Sequence, residues 1–410
     1  MTTTTGRLLA DRMSRVAASA TMRVIVEADK LRQQGIDVVE FGAGEPDFPT
    51  PDHVKAAAHA AIDANYTKYT PAAGALELKR AICDRYAADY GVAYTPAEVI
   101  VTAGGKQALY NAAMALFGPG DEVITHAPCW TTLVEQVKLA DATPVIVQTF
   151  ADEGFAITAD RLLAAVTPST RGIVINSPAN PTGALITEAE LGRLLDGLAG
   201  REIYLILDLC YERLIYDPAP HNLPKVLAER WRDKSVLCGS ASKSYAMTGW
   251  RCGWALAPAA IVAASNAIQS HSTSNVCSIS QKATIAALSG PTDTVRAMLD
   301  EYRVRRDRLH AWLTADPRVV CHKPQGAFYL FLDISALLTP EGVRTSAEFA
   351  DRLLHEAHVA LTPGEAFEAP GFLRISYATS MDRLEDGVNR IRAFIEKLDA
   401  EGALPPARPA

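Results

Sequence analysis

The sequence predicts an α/β protein, with one large domain on a mainly parallel sheet and a smaller α+β domain. Short apolar runs alternate with amphipathic helices from residue 75 onward, as expected for strands and helices around a parallel sheet. The pattern changes after residue 290, where a long charged helix begins. With 410 residues, the chain is also longer than a single compact core usually requires.

The N-terminal part is expected to be irregular at first and then helical at 21–34. A short strand at 36–41 leads into a loop rich in Gly and Pro at 42–51. The apolar spacing that follows predicts a helix at 51–64, with Thr50 as its N-terminal cap.

The large domain is expected to alternate between strands and helices. Its strands are predicted at 98–102, 121–125, 143–148, 170–176, 202–208, 235–239 and 252–257. Its helices are predicted at 76–90, 106–117, 131–140 and 187–198. Functional side chains are expected at the carboxyl ends of these strands, where open α/β sheets bind their ligands.

The smaller domain is predicted from the last third of the chain. Its helices are expected at 292–313, 346–357 and 381–398, and its strands at 326–333, 359–361 and 372–376. The predicted limits are 51–290 for the large domain, 13–50 with 291–400 for the small domain, 1–12 for an N-terminal arm and 401–410 for a flexible tail.

Composition argues against several classes of protein. The net charge of −7 disfavours nucleic acid or an anionic membrane as the main partner. No apolar run approaches the ~20 residues that cross a bilayer, and the N-terminus lacks the apolar core of a signal peptide. The seven cysteines are scattered without metal-site spacing, so we expect reduced thiols, no metal and a cytoplasmic location.

The segment at 240–253 carries the most specific chemical pattern. Lys243 lies beside two hydroxyl residues, Ser240 and Ser242, and Arg251 follows eight positions later. A lysine forms a Schiff base with an aldehyde, while serines and an arginine hold a phosphate. The combination points to pyridoxal 5'-phosphate (PLP), and the large neighbouring side chains predict a buried lysine that loses its proton readily.

A carboxylate and a phenol follow another predicted strand. Asp208 ends an apolar run, where it either serves a site or caps the next element. PLP requires a carboxylate at its ring nitrogen, which keeps the ring protonated and able to accept electrons. Tyr211, three residues later, is placed to donate to the phenolic oxygen of the cofactor.

Three further motifs admit both a functional and an ordinary reading. Asn180 stands in a stiff turn with two prolines and offers an amide to the same phenolic oxygen, or simply belongs to the turn. Trp130 follows a strand and either stacks on a cofactor ring or fills the core. Gly104, Gly105 and Lys106 join a strand to a helix whose first amides form an anion site, and the Gly-x-Gly-x-x-Gly pattern of nicotinamide binding is missing there.

Arg374 lies within an apolar strand, where a guanidinium must find an anion. That anion is either an internal carboxylate or a bound one, which arginine holds with two parallel hydrogen bonds.

Taken together, these motifs resemble the fold-type-I PLP enzymes, and in particular the bacterial branch of the aspartate aminotransferase family. The resemblance spans about residues 14–398 and implies the aspartate aminotransferase fold with its seven-stranded sheet. It rests on Ser-x-Ser-Lys-x-x-x-Met-Thr-Gly-Trp-Arg at 240–251, Asn-Pro-Thr-Gly at 180–183 and Asp-x-x-Tyr-Glu at 208–212, with further similarity at 44–48, 67–69, 104–109 and 374–378.

The resemblance implies a role for each cofactor residue. Lys243 would form the Schiff base and then carry the proton between substrate Cα and cofactor C4'. Asp208 would pair with the ring nitrogen, Tyr211 and Asn180 would bond the phenolic oxygen, and Trp130 would stack on the ring. The phosphate would be held by the turn at Gly104, by main-chain amides of Gly105 and Lys106, and by Ser240, Ser242 and Arg251.

The substrate and the oligomer follow from the same resemblance. Arg374, helped by Asn180, Trp130 and the amide of Gly44, would bind the substrate α-carboxylate. A distal carboxylate would be recognised by Lys106, Ser19 and Thr21, which implies transamination of L-aspartate with 2-oxoglutarate. Tyr69 would reach the phosphate of a neighbouring subunit, with Asn275 near the interface, so a homodimer with shared active sites is implied.

Two departures from the family pattern bear on substrate range. Cys210 and Cys129 stand where other residues are common, and both are expected to alter walls near the ring. Aromatic, alanine-type or prephenate substrates remain alternatives, with Arg15 near the position of a prephenate-binding base, and a β-lyase is a further one. A PLP-binding regulator is disfavoured, because 1–20 is too short for a DNA-binding segment and the net charge is negative.

Overall fold

The computed structural model describes residues 9–18, 20–216 and 221–405, without the side chains of 20–22. Parts of the predicted arm at 1–12 and of the predicted tail at 401–410 therefore lie outside the described residues, as does Ser19.

Helices and strands alternate along the described residues as expected. The helices are α1 (Ala20–Gln33), α2 (Asp52–Asp63), α3 (Leu76–Tyr90), α4 (Gly105–Leu116), α5 (Thr132–Leu139), α6 (Ala159–Ala164), α7 (Glu188–Gly197), α8 (Leu223–Arg230), α9 (Ala241–Ser244), α10 (Ala259–Ser270), α11 (Ser278–Ser289), α12 (Asp293–Leu313), α13 (Ser346–Ala357) and α14 (Met381–Ala400). The strands are β1 (Val39–Glu40), β2 (Val99–Thr102), β3 (Glu122–Ala127), β4 (Thr143–Gln148), β5 (Thr170–Asn176), β6 (Tyr204–Asp208), β7 (Ser235–Ser240), β8 (Gly253–Leu256), β9 (Val320–Cys321), β10 (Tyr329–Asp333), β11 (Val359–Ala360), β12 (Thr362–Pro363) and β13 (Phe372–Ser376).

The largest sheet has seven strands in the order β2-β8-β7-β6-β5-β3-β4. All neighbours run parallel except β8, which is antiparallel to both β2 and β7. The predicted mainly parallel, seven-stranded sheet is therefore confirmed. The register places Asn176 beside Asp208, and Asp208 beside Cys238, so β5, β6 and β7 end at a common edge.

The apolar runs of this sheet are continuous because both of its faces are covered. In β6, Leu205 and Leu207 join one core cluster, while Ile206 between them joins another. Successive side chains of a strand point to opposite faces, so a strand buried on both sides needs an apolar residue at every position. Asp208 ends this apolar run, which places a carboxyl group at the edge where β5, β6 and β7 end.

A separate antiparallel sheet, in the order β12-β13-β10-β9, forms the second core with α12, α13 and α14. In this sheet Arg374 of β13 lies between Phe331 of β10 and Thr362 of β12. The two-stranded parallel pair of β1 and β11 brings the N-terminal segment to this second part of the molecule.

The structure corrects two local predictions. The strand expected at 36–41 is reduced to Val39–Glu40. Thr50 does not cap α2: its hydroxyl donates to the carbonyl of Ala246 at 2.6 Å and accepts from the indole of Trp250 at 2.9 Å. Partners that are distant in sequence compete successfully for this hydroxyl, so Pro51 takes the capping position without a side-chain bond.

In the described part of the chain, no helix combines the length and apolar character needed to span a membrane.

Candidate active site

A cleft of about 520 Å³ lies where the carboxyl ends of the large-sheet strands meet the second core. Predicted site residues that line it are Gly44, Gly105, Lys106, Trp130, Asn180, Asp208, Tyr211, Ser240, Ser242, Lys243, Arg251 and Arg374. Folding thus brings together residues that are separated by up to 330 positions in the sequence, from Gly44 to Arg374.

Lys243 occupies the short helix α9 that follows β7 directly. Its ammonium donates a hydrogen bond to the carbonyl of Gly44. Burial removes water from the charged form and lowers the pKa of Lys243 to about 8, and the cationic Arg374 contributes in the same direction. A substantial fraction of this amine is therefore neutral, and nucleophilic, slightly above neutral pH.

Asp208 is a buried carboxylate, with 2% of its surface exposed. The backbone amide of Cys210 donates to its Oδ1 at 3.1 Å, while burial raises the pKa of Asp208. Across the described residues it forms no ion pair, although buried carboxylates usually have one. A protonated ring nitrogen would supply the missing cation.

The turn between β2 and α4 forms an anion cradle. Gly104 has a φ of +82°, and a Cβ at Gly105 would lie 2.8 Å from the Sγ of Cys210. Arg251 is held over the turn by bonds from its guanidinium to the carbonyls of Thr248 at 2.9 Å and Ala103 at 3.2 Å. The turn therefore offers backbone amides at the start of a helix and a guanidinium beside them, with no side chain filling the space between. Such an arrangement suits a phosphate.

The two serines complete this cradle. The Ser240 hydroxyl caps α9 by accepting from the amide of Ser242 at 3.1 Å, and it donates to the Ser242 hydroxyl at 2.9 Å. Both serines are buried and line the cleft.

Arg374 provides a second, deeper cationic group. Its guanidinium donates to Oδ1 of Asn180 at 3.0 Å and to the carbonyl of Gly42 at 2.6 Å. Its Nε is buried without a hydrogen-bond partner, and burial lowers the pKa of Arg374. The sequence analysis left two partners open for Arg374, an internal carboxylate and a bound one. Among the described residues no carboxylate forms an ion pair with it, so the bound anion is the alternative that remains.

Lys106 and Trp130 also line the cleft, and they contact each other. The Lys106 ammonium lies 4.8 Å from the centroid of the Trp130 ring, and burial together with the nearby Arg251 lowers the pKa of Lys106. Apart from Arg251 at the anion cradle, the cleft therefore holds cations at two further places, Arg374 and Lys106, with Lys243 lining the same space.

Some predicted residues lie elsewhere or are not described. Tyr69 is 92% exposed and does not line this cleft, and neither does Gly104. Ser19 is outside the described residues, and the side chain of Thr21 is not described. Gly44 is in place, but its carbonyl, rather than its amide, makes the contact that is present, with Lys243.

The two departures from the family pattern differ in their position. Cys210 lines the cleft, as expected. Cys129 has no exposed surface and does not line the cleft, so it does not itself form a wall there. Its neighbour Trp130 does line the cleft, and an effect of Cys129 on the walls stays a prediction.

Several lining residues were not predicted from the sequence: Ile25, Gly42, Ala43, Glu45, Asn176, Thr248 and Tyr329. Asn176 ends β5 one strand away from Asp208, so the rule that placed Asp208 at the site could also have found Asn176. Tyr329 was visible only as part of an apolar strand, and nothing in its local sequence distinguished it from a core residue.

The residues present fit PLP. They supply a half-buried amine for its aldehyde, an unpaired buried carboxylate for its ring nitrogen and an anion cradle for its phosphate. The buried carboxylate of Asp208 and the unpartnered Nε of Arg374 are unfavourable in the protein alone. A cationic ring nitrogen would compensate the carboxylate, and a bound carboxylate would compensate the guanidinium.

Comparison with known proteins agrees with this geometry. The family model of aminotransferase class I and II matches residues 36–391. An aspartate/prephenate aminotransferase from Cereibacter sphaeroides is 44% identical over 392 residues, which is 94% of this chain and 98% of that protein. An aspartate aminotransferase from Geobacillus stearothermophilus is also 44% identical, over 95% of this chain and 99% of that protein.

Solved structures show the same similarity. The aspartate aminotransferase from Rhizobium meliloti has a TM-score of 0.90 and 39% identity, covering 95% of this chain and 99% of that one. The aspartate aminotransferase from Thermus thermophilus, solved with maleate, has a TM-score of 0.88 and 40% identity, covering 95% of this chain and all of that one (100%).

Proposed function

The chain belongs to the class I and II aminotransferase family, and on that basis we propose that it transfers the amino group of L-aspartate to 2-oxoglutarate, yielding oxaloacetate and L-glutamate. Enzymes of this family depend on PLP. The observation that carries the choice of substrate is the pair of cations in one cleft, Arg374 and Lys106, because two cations suit an amino acid with two carboxylates.

Each lining residue has a task in this reaction. Lys243 would hold the cofactor, Asp208 would keep a proton on its ring nitrogen, and the cradle at Gly105 and Arg251 would hold its phosphate. When bound, the cofactor supplies an aldehyde that joins to the amino group and a ring that takes up the electron pair left at Cα.

The chain's own residues then orient the substrate and move its proton. Arg374 binds the α-carboxylate and Lys106 the distal one, which places Cα beside Lys243. Once the substrate's amino group has taken the place of Lys243 on the aldehyde, the released neutral amine of Lys243 would remove the Cα proton and return it to C4' of the cofactor, a transfer for which a pKa of about 8 is well matched.

The test is turnover of the purified, PLP-loaded protein with a panel of amino donors and 2-oxoglutarate. We expect aspartate to exceed alanine and phenylalanine in kcat/KM by about 100-fold or more, since losing one carboxylate contact costs about 3 kcal/mol. Lys243→Ala should abolish turnover. Equal or better turnover with alanine or phenylalanine would contradict the aspartate assignment, and ordinary turnover by Lys243→Ala would contradict the mechanism.

Prephenate is a second candidate acceptor, because one relative that is 44% identical is named an aspartate/prephenate aminotransferase. In this chain Arg15, the nearest candidate base, is ion-paired to Asp141. The same assay, with prephenate in place of 2-oxoglutarate, distinguishes the two acceptors.

The proposed assembly is a cytoplasmic homodimer in which each subunit completes the other's site. The support for the dimer is the position of Tyr69: its side chain is almost fully exposed and does not line the cleft of its own chain, as expected of a residue that serves a partner.

A further inference from the structure

Tyr329 is a buried residue of the cleft to which the mechanism above assigns no specific contact. It begins β10, has no exposed surface and lines the cleft. Its hydroxyl lies 2.8 Å from the hydroxyl of Tyr211. A Cβ at Gly44 would lie 3.1 Å from the same hydroxyl, so the Tyr329 oxygen stands at the point where the loop that carries Gly44 passes Tyr211.

The ring of Tyr329 also contacts Arg374. The guanidinium carbon lies 4.4 Å from the ring centroid. The sheet register accounts for this contact: Tyr329 pairs with Ser376 on the antiparallel neighbour, and Arg374 is two residues away from Ser376. Residues two apart on a strand share a face, and such diagonal neighbours are within reach of an aromatic side chain.

The hydrogen bond between the two hydroxyls takes one direction if Tyr211 donates to the cofactor. Each tyrosine hydroxyl carries one proton. If Tyr211 donates its proton to the phenolic oxygen, then in the 2.8 Å contact it must accept the proton of Tyr329. A hydroxyl that accepts a hydrogen bond becomes a stronger donor, because the bonds in a chain polarise one another.

We propose that Tyr329 is a positioning residue that couples carboxylate binding at Arg374 to the hydrogen bond that Tyr211 offers the cofactor. The proposal rests on the proposed function. With Arg374 uncompensated, its charge draws electron density from the Tyr329 ring and strengthens both hydroxyl donors, which stabilises the cofactor's phenolic oxygen as an anion. A bound carboxylate neutralises Arg374, weakens both donors and raises the proton affinity of the bound cofactor.

The test compares Tyr329→Phe with Tyr377→Phe. Tyr377 is a matched control: it is equally buried in the same core, its hydroxyl bonds that of Tyr216 at 3.0 Å, and it does not line the cleft. The readout is the pH midpoint of the visible absorbance of the PLP-loaded protein, with and without maleate, a dicarboxylate that has no amino group to transfer.

In the wild type and in Tyr377→Phe, maleate should raise the midpoint. In Tyr329→Phe the midpoint without maleate should already be higher by about 0.5–1 pH unit, a three- to tenfold gain in proton affinity, since a supporting hydrogen bond is lost. The further rise on adding maleate should be reduced by at least half. Unchanged midpoints in Tyr329→Phe, or equal changes in Tyr377→Phe, would overturn the proposal.

A second comparison does not depend on the single variant folding. In a Tyr211→Phe background no hydroxyl remains to relay the effect, so adding Tyr329→Phe should cause no further shift of the midpoint. The double variant also leaves no unpaired partner within this hydroxyl pair. An additional shift in the double variant would refute the relay. If the wild type transaminates aspartate and these midpoints do not behave as stated, only this inference fails; if the wild type neither binds maleate nor uses aspartate, the proposed function fails as well.

Discussion

At the scale of single residues, the cleft is built from charged groups whose usual partners are missing. Asp208 and Arg374 are buried and Lys243 is half-buried, and the loss of water around each group shifts its pKa toward the neutral form. Such groups are costly unless a ligand compensates them, and for that reason they cluster at functional sites.

The pKa of Lys243 predicts how fast the cofactor-free protein captures PLP. Only the neutral amine attacks the aldehyde, and the folded pKa of about 8 lies below the ordinary lysine value of 10.5. The capture rate should therefore rise about tenfold per pH unit below about pH 8 and level off above it. Stopped-flow absorbance over this range measures the rate. A rate that keeps rising tenfold between about pH 9 and 10 would show an unshifted lysine.

At the scale of elements, the turn from β2 into α4 combines an anion site with a demand for small residues. A side chain at Gly105 would meet Cys210, while a side chain at Gly118, two residues beyond α4, would meet nothing within 4 Å. The two glycines therefore offer a matched pair of substitutions at opposite ends of one helix.

Gly105→Ala should weaken PLP binding about tenfold or more, because an added methyl group in a filled space costs about 1–3 kcal/mol and displaces the amides of the cradle. Gly118→Ala should bind PLP as the wild type does. Titration of the cofactor-free proteins, followed by absorbance, gives both dissociation constants. The cradle has been misplaced if the two variants bind PLP equally well.

At the scale of the whole molecule, the cleft depends on parts of the chain that are far apart. The seven-stranded sheet supplies Asp208, and helix α9, which follows β7 directly, supplies Lys243. The four-stranded sheet supplies Arg374, and the loop at 42–51 contributes the carbonyl that contacts Lys243. Tyr69, by contrast, contributes nothing to the cleft of its own chain.

The proposed dimer predicts that this exposed residue matters for cofactor binding. Tyr69→Phe should weaken PLP binding by about tenfold, since a hydrogen bond to a charged phosphate contributes about 1.5–3 kcal/mol. Tyr204→Phe, at the opposite end of β6 from Asp208, should leave it unchanged. Sedimentation of the wild-type protein should give a mass twice that of one chain. A monomer with full PLP affinity would exclude shared sites.

Much of the fold could be read from local patterns. The bounds of α3, α13, β4, β5 and β13 are those predicted. Helix α13 has a strong apolar periodicity, and α3 has a clear end at Gly91, whose φ of +68° closes the helix. Helices α10 and α11 were not predicted: both are rich in Ala and Ser and lack a marked polar face, so their periodicity is weak. Thr50 was misassigned because its partners, Ala246 and Trp250, are about 200 residues away.

The fold, the family and the dependence on PLP are confirmed. The predicted limits of the domains and the roles assigned to the site residues stay predictions. Asp208 and Arg374 could be selected from the sequence because each is a charge in an apolar run, and Lys243 because two serines and Arg251 accompany it; both kinds of pattern are visible locally. Tyr329 could not, because an aromatic residue in an apolar strand is ordinary until its hydroxyl is seen beside Tyr211.

The sequence by itself determined the alternation of helices and strands, the family and the chemical types that serve the cofactor, since all of these are encoded in residue type and short-range spacing. Only the tertiary structure decided which charges lack partners, that Cys129 lies away from the cleft, and that Tyr329 joins Arg374 to Tyr211. The physical reason is that partnership and burial arise from contacts between distant segments, and neither has a local signature.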